Sequence, residues 1–146
     1  MGRLPLEKRM LVKVLAIDDD PATTELLILL LKARGFEVFT TNSGDEGIKK
    51  VRELNPDVLI LDLMMSDVDG WKVCSEVRKF SKVPILILSA LDTPGMVASA
   101  LDAGADDYLI KPVPSSVLVA HLHNLARRAK LIGSKHEAIT RPLTIL

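Results

Sequence analysis

Residues able to handle phosphate and metal ions stand at four separated places in this chain. They are three consecutive carboxylates, Asp18, Asp19 and Asp20, a lone carboxylate, Asp62, a hydroxyl, Ser89, and an ammonium, Lys111. Each closes an apolar run. Asp62 follows Val58, Leu59, Ile60 and Leu61 and precedes Leu63, a setting in which a carboxylate is costly unless a partner meets it. Several carboxylates sharing one crevice repel, and at neutral pH they are tolerated only where some protonate or a cation binds. Ligands that are all oxygen point to a hard metal. An open site suits magnesium, which keeps waters and often shares its shell with a phosphoryl group. A lysine and a hydroxyl opposite would complete a phosphoryl site, provided the chain brings these positions together.

The elements that must do so are legible in the apolar pattern. Runs of four to eight aliphatic residues bounded by Pro, Asp and Gly read as strands buried on both faces, the pattern of a parallel sheet. Such runs fall at Leu11 to Ile17, at Pro56 to Asp62 and at Val83 to Leu88, with shorter ones at Phe36 to Thr40 and Asp107 to Ile110. Helical patterns alternate with them: Pro21 to Arg34, Gly44 to Leu54, Gly70 to Phe80, Pro94 to Ala103, and about Pro114 to Leu131. Pro21 suits a first helical position, with Asp20 as its N-cap, and Gly35 stops that helix. Strict alternation predicts βαβ units, and right-handed crossovers with five strands favour a doubly wound α/β sheet of flavodoxin-like order 2-1-3-4-5. In that order the ends of strands 1, 3, 4 and 5 lie side by side, where ligands bind in open α/β folds. The carboxylates, Ser89 and Lys111 then share one edge.

Length and composition narrow the classes further. The 146 residues fit one domain, read as an arm over residues 1–10, a folded unit over 11–131 and a tail or linker stub over 132–146. Nineteen basic and nineteen acidic residues cancel, so no general field draws the domain to nucleic acid or to a membrane surface. The single Cys74 excludes a disulfide framework and is read as a packed helix residue. Leu26 to Leu31 is too short to span a bilayer, and MGRLPLEKRM has neither an h-region nor a myristoylation signal. The expectation is a soluble, cytoplasmic protein.

Four stretches, VLAIDDDP, DVLILDLMMSDVDG, ILILSA and AGADDYLIKP, together resemble the response regulator receiver domain of two-component signalling, over roughly Leu11 to Leu131. The resemblance implies a phosphorylation switch rather than an enzyme, with a sensor histidine kinase or a histidine phosphotransfer domain as donor and an output protein or domain beyond. It implies Asp62 as the phosphoacceptor, Asp19 as a direct magnesium ligand, Asp18 as the acidic neighbour holding a metal-bound water, and Met64 as the donor of a backbone carbonyl to the metal. Ser89 matches the switch hydroxyl, Tyr108 the switch aromatic, and Lys111 the lysine that pairs with the phosphoryl oxygens, with a cis Lys111–Pro112 bond. A homodimer forming on phosphorylation is the family habit. One position departs: the family usually has Pro four residues after the phosphoacceptor, where this chain has Ser66. That change is expected to loosen the loop, although Asp69-Gly70 still matches.

Two other readings stay open on sequence alone, a flavodoxin-like enzyme or nucleotide binder on the same fold, and a receiver that acts only as a phosphorylation-independent binding module. The acidic first loop, lacking the glycines of a phosphate cradle, opposes the former. The presence of Asp62 and Lys111 opposes the latter. Among the remaining polar residues, Asp67 reads as an ordinary loop residue, and Asp106 and Asp107 as solvated. His121 and His123, two apart on one helix, cannot share a face and read as surface groups. On the first helix, about 100° per residue places Leu26, Leu27, Leu30 and Leu31 on one side and exposes Ile28 and Leu29 as a docking patch. Leu118, Leu122 and Leu125 give the last helix its core face. Met64 and Leu91, two residues after Asp62 and Ser89, are apolar where a polar side chain could orient water, so a phosphoryl group on Asp62 is expected to be long-lived.

Overall fold

The computed structural model describes residues 11–135, so the arm over residues 1–10 and the tail from 136 onward lie outside the described residues. Five strands and five helices alternate along the chain: β1 (Lys13–Ile17), α1 (Pro21–Ala33), β2 (Glu37–Thr41), α2 (Gly44–Leu54), β3 (Val58–Leu61), α3 (Gly70–Arg78), β4 (Ile85–Ser89), α4 (Pro94–Asp102), β5 (Asp107–Ile110) and α5 (Ser115–Lys135). The strands form one parallel sheet in the order β2-β1-β3-β4-β5, as the alternation predicts. No helix among the described residues is long and apolar enough to cross a membrane.

Strand alternation divides the core in two. Leu15, Ile17, Leu59, Leu61, Ile85 and Ile87 point to one face, where Val51 of α2, Val73, Cys74 and Val77 of α3 and Ala100 of α4 cover them. Val14, Ala16, Val58, Ile60, Leu86 and Leu88 point to the other, under Leu27 and Leu31 of α1 and Leu118, Leu122 and Leu125 of α5. Every residue of β3 and β4 is buried. This explains the unbroken apolar runs over residues 58–61 and 85–88, since a strand covered on both faces has no polar side. Each such side chain contributes roughly 1.5–3 kcal/mol of burial, and together they fix the register that aligns the strand ends. Ile17 pairs with Leu61, Leu61 with Ile87, and Ser89 with Ile110. The residues that follow β1, β3 and β5 are Asp18, Asp62 and Lys111.

Helix starts follow the local chemistry. Asp20, Ser43, Asp69 and Thr93 cap α1, α2, α3 and α4, each accepting a backbone N–H of the first turn. After α1 the chain turns through Gly35 at φ 89°, a conformation that glycine adopts without strain.

Besides shifts of one or two residues at element ends, some details differ from the sequence reading. Helix α5 continues to Lys135, past the predicted end at Leu131, because backbone hydrogen bonding extends a nucleated helix without needing an apolar stripe. Helix α3 ends at Arg78 rather than Phe80. On α1, Leu26 is 55% exposed and Ile28 half-buried, while Leu29 is 70% exposed. Six consecutive aliphatic residues carry no polar face from which to read the helix's rotation. The rotation is fixed by buried Thr24, whose hydroxyl donates to Pro21 O at 3.1 Å and accepts from Asn42 Nδ2 at 3.1 Å.

Candidate functional site

At the carboxyl edge of the sheet, the carboxylate oxygens that Asp18, Asp19 and Asp62 can offer lie within 4.8 Å of one another. Asp18 and Asp62 are buried, and Asp62 is only 8% exposed. Lys111 reaches in from the end of β5, its Nζ 2.9 Å from Asp18 Oδ2 and 4.0 Å from Asp62 Oδ2. The lysine therefore serves as a built-in counter-charge, leaning toward Asp18. Burial raises the Asp62 carboxyl above its ordinary pKa. Lys111 opposes that rise, the Asp18 charge adds to it, and hydrogen bonds from the Met64 backbone and Ser89 hydroxyl oppose it. Asp20 stands apart from the cluster: its carboxylate accepts from Ala22 N and Thr23 Oγ1 and caps α1.

The other residues singled out by sequence take definite places. Met64 donates its N–H to Asp62 Oδ1 at 3.4 Å, while its side chain is 59% exposed. Ser89 is buried at the end of β4, its Oγ accepting from Leu91 N at 3.2 Å. The Tyr108 hydroxyl donates to Leu91 O at 2.6 Å. Through the Leu91 backbone, the ring on β5 is thus tied to the loop that carries Ser89. Leu91 itself packs against the core on the α3 and α4 side. The Lys111–Pro112 bond is cis, as the resemblance implies.

Two residues were missed, and both belong to the loop after β3. Ser66 donates its backbone N–H and its hydroxyl to Asp19 Oδ2, at 2.9 and 3.2 Å. Asp67 accepts from Ser43 Oγ at 2.9 Å and from Gly44 N at 3.0 Å, joining the loop to the start of α2. Its own burial would raise its pKa. Hydrogen bonds from Gly44, Ser43, Val68 and Asp45 outweigh that and hold the carboxyl below its ordinary value. The only sequence signal was the departure from Pro at position 66; partners far off in the chain leave no local trace. At that departure Ser66 gives the loop two hydrogen bonds to Asp19 that a proline could not make. Gly70 adds a further constraint, since a Cβ there would stand 2.3 Å from Asp62 O and 2.6 Å from Leu63 Cα. No residue but glycine fits against the backbone that carries Asp62.

Asp106 and Asp107 are engaged rather than merely solvated. Asp106 Oδ2 accepts from Ile85 N and pairs with Arg78, both at 2.8 Å. Asp107 Oδ2 lies 2.5 Å from His121 Nδ1, and His123 stacks on Phe36 with ring centroids 4.7 Å apart. Neither histidine joins the acidic cluster.

A parallel sheet that gathers three aspartates, a buried hydroxyl and a lysine at its carboxyl edge belongs to a class of α/β domain whose oxygen donors could hold a hard cation beside a fixed counter-charge. Comparison with known proteins makes the class definite. The family model for the response regulator receiver domain matches residues 14–123. The transcriptional regulatory protein AfsQ1 of Streptomyces coelicolor is 39% identical over 117 residues, 80% of this chain and 52% of that protein. The response regulator MprA of Mycobacterium leprae is 42% identical over 120 residues, 82% of this chain and 53% of that protein. Among solved structures, a response regulator receiver domain protein from Clostridium thermocellum superposes with a TM-score of 0.79 at 31% identity, covering 84% of this chain and 99% of the other. A putative response regulator from Chloroflexus aurantiacus gives 0.76 at 34% identity, covering 81% and 99%. This chain belongs to the response regulator receiver family. It spans about half the length of the curated relatives it matches.

Proposed function

We propose that the domain is a phosphorylation switch in which the Asp62 carboxylate accepts a phosphoryl group from the phosphohistidine of a sensor histidine kinase or a histidine phosphotransfer protein. The observation that carries this reading is the buried Asp62 carboxylate at the carboxyl edge of the sheet, flanked by Lys111 and within reach of Asp18 and Asp19. An oxygen of Asp62 attacks phosphorus, a P–O bond forms as the P–N bond to histidine breaks, and the imidazole leaves with the electron pair. An ionised carboxylate needs no general base, so the protein's work is positioning and charge stabilisation.

The donor set fits magnesium. It is all oxygen and anionic, as a hard ion requires. Asp19 and Asp62 would bind it directly, with the Met64 carbonyl, and Asp18 through a water. With magnesium bound, charge on the transferred phosphoryl oxygens is neutralised and the repulsion among the carboxylates is relieved. Lys111, now leaning on Asp18, is near enough to turn to a phosphoryl oxygen on Asp62. Ser89 would follow the same group, and Tyr108 would follow the Leu91 backbone, so that the new charge repositions the loop into α4.

The kinase surface in this reading includes α1. Leu26 and Leu29 are its exposed aliphatics, and Leu26 and Leu30 line a groove of about 270 Å³ that also meets Lys111 and Pro112. Leu26→Ser with Leu29→Ser should slow kinase-dependent transfer and leave labelling by a small phosphodonor unchanged. The reading carries with it a cytoplasmic location, an output protein or domain, a homodimer on phosphorylation and no direct binding of nucleic acid by this domain. The experiment that tests it is labelling by acetyl phosphate or by a phosphorylated kinase. Label should appear on Asp62 alone, require magnesium and vanish in Asp62→Asn; label persisting in that variant, or in full with chelator, overturns it.

A further inference from the structure

We propose that Ser66 is a positioning residue for the cation site, holding the Asp19 carboxylate in its metal-binding orientation through two hydrogen bonds to one oxygen. The proposal rests on the magnesium reading above. Asp19 is the least buried of the three clustered aspartates, so packing alone does not fix its side chain. Its Oδ2 accepts from both the backbone N–H and the hydroxyl of Ser66. Among the described residues no hydrogen bond reaches Oδ1, which is left for a ligand. The clamp draws its own rigidity from the adjacent residue, because Asp67 is fixed to Ser43 and Gly44 at the start of α2. Ser66 is thereby held on the side of the loop that faces Asp19.

Two donors on one oxygen of a carboxylate fix its rotation and leave the other oxygen free to bind. Loss of such an outer partner typically weakens a metal site by about 10–100-fold. A proline at position 66 would give the loop a stiff backbone and neither donor. Ser66→Pro therefore separates loop stiffness from hydrogen bonding. Ser66→Ala keeps the N–H and removes the hydroxyl, and Ser66→Thr keeps both.

The test is isothermal titration of each protein with magnesium chloride at constant ionic strength, with thermal stability in chelator measured in parallel. Ser66→Pro should weaken magnesium binding about tenfold or more, Ser66→Ala by less, and Ser66→Thr should bind within about twofold of the parent, while stability in chelator separates folding losses from site losses. Ser66→Pro binding magnesium as tightly as the parent, or Ser66→Ala binding more tightly, overturns the clamp and leaves the magnesium reading standing. A parent protein that takes up no magnesium overturns both.

Discussion

The two loops that flank Asp62 are built to opposite designs. The loop after β3 is fastened at Ser66 to Asp19, at Asp67 to α2, and at Gly70, whose N–H donates to Leu63 O at 2.9 Å. It leads into α3, which buries Gly70, Val73, Cys74 and Val77. The loop after β4 has its ties to Ser89 and Tyr108 and leads into α4, where Ala100 is the buried residue and Met96 and Leu101 are exposed. One wall of the site is therefore held by the core, and the other rests lightly on it. In the proposed switch, a charge gained at Asp62 is expected to move the wall that costs less to move, α4 with its loop. Tyr108 is joined to Leu91 on that same side, where the proposed switch would use it as the coupling.

The hardest blow to this contrast falls on the fixed wall. Gly70→Ala would drive a methyl group into Asp62 O and Leu63 Cα, and because backbone cannot turn aside as a side chain can, the loss should be roughly 1–3 kcal/mol. Chemical denaturation measures it, and the displaced Asp62 should label poorly even in molecules that remain folded. A variant as stable as the parent would show that the β3 side yields after all. Next comes Asp67→Ala, which should cost about 1 kcal/mol at neutral pH through the lost hydrogen bonds from Ser43 and Gly44. Its pH dependence has a definite sign. A carboxyl whose folded pKa is depressed contributes stability that is fully present above the ordinary aspartate value of about 3.9 and disappears as pH falls through the lower folded value. The gap between parent and variant should therefore close in acid, and a constant gap would assign the loss to something other than the charge.

On the movable wall the same glycine-to-alanine change should act in the opposite direction. Gly95, in the first turn of α4, has open space where a Cβ would go, and alanine there adds helix propensity of at most about 0.8 kcal/mol. Hydrogen exchange in α4 should slow without change in α3. The same strengthening should reduce the structural response to phosphorylation, read as the change in α4 amide exchange on labelling. If α4 responds as fully as in the parent, its weak packing is not what makes it mobile.

How much of this was visible in the chain depends on the range of the interaction. The sheet order, the strand ends and the gathering of Asp18, Asp19, Asp62, Ser89 and Lys111 follow from apolar periodicity, which is local and repeated, and from crossover rules that leave few alternatives. The Asp20 cap was legible because its partner, Ala22, is two residues away. Ser66 and Asp67 were not, because their partners Asp19 and Gly44 lie 47 and 23 residues off and meet them only once the sheet has formed. The rotation of α1 failed for a different reason. Between Leu26 and Leu31 every position is aliphatic, so period alone cannot choose a face, and a buried threonine hydroxyl settles what hydrophobicity leaves undecided. Asp106 combines both difficulties: a charged loop residue satisfied by Arg78 and a backbone N–H from another strand.

The finest distinction between the two walls concerns water. Sequence alone placed Met64 and Leu91 as a pair of apolar guards beside the phosphoacceptor, but the structure separates them. Leu91 packs against the core on the movable side, whereas Met64 projects from the fixed loop and is 59% exposed. Met64 is the more exposed of the two and is proposed to cover the approach of a nucleophile to phosphorus on Asp62, where a thioether cannot hold a water in line for attack. The expected result is slow loss of the phosphoryl group, and Met64→Asn should quicken it by about threefold, a barrier change of ~0.6 kcal/mol, by offering a polar group that orients water. Leu91→Glu should act mainly on the packing of the β4–α4 loop, lowering stability rather than accelerating hydrolysis. Following the decay of labelled protein in the two single variants distinguishes the walls: acceleration in Met64→Asn alone assigns the control of water to the fixed loop. Equal acceleration in both would restore the paired guards, and a parent that loses its label within seconds would remove the shielding role from either residue.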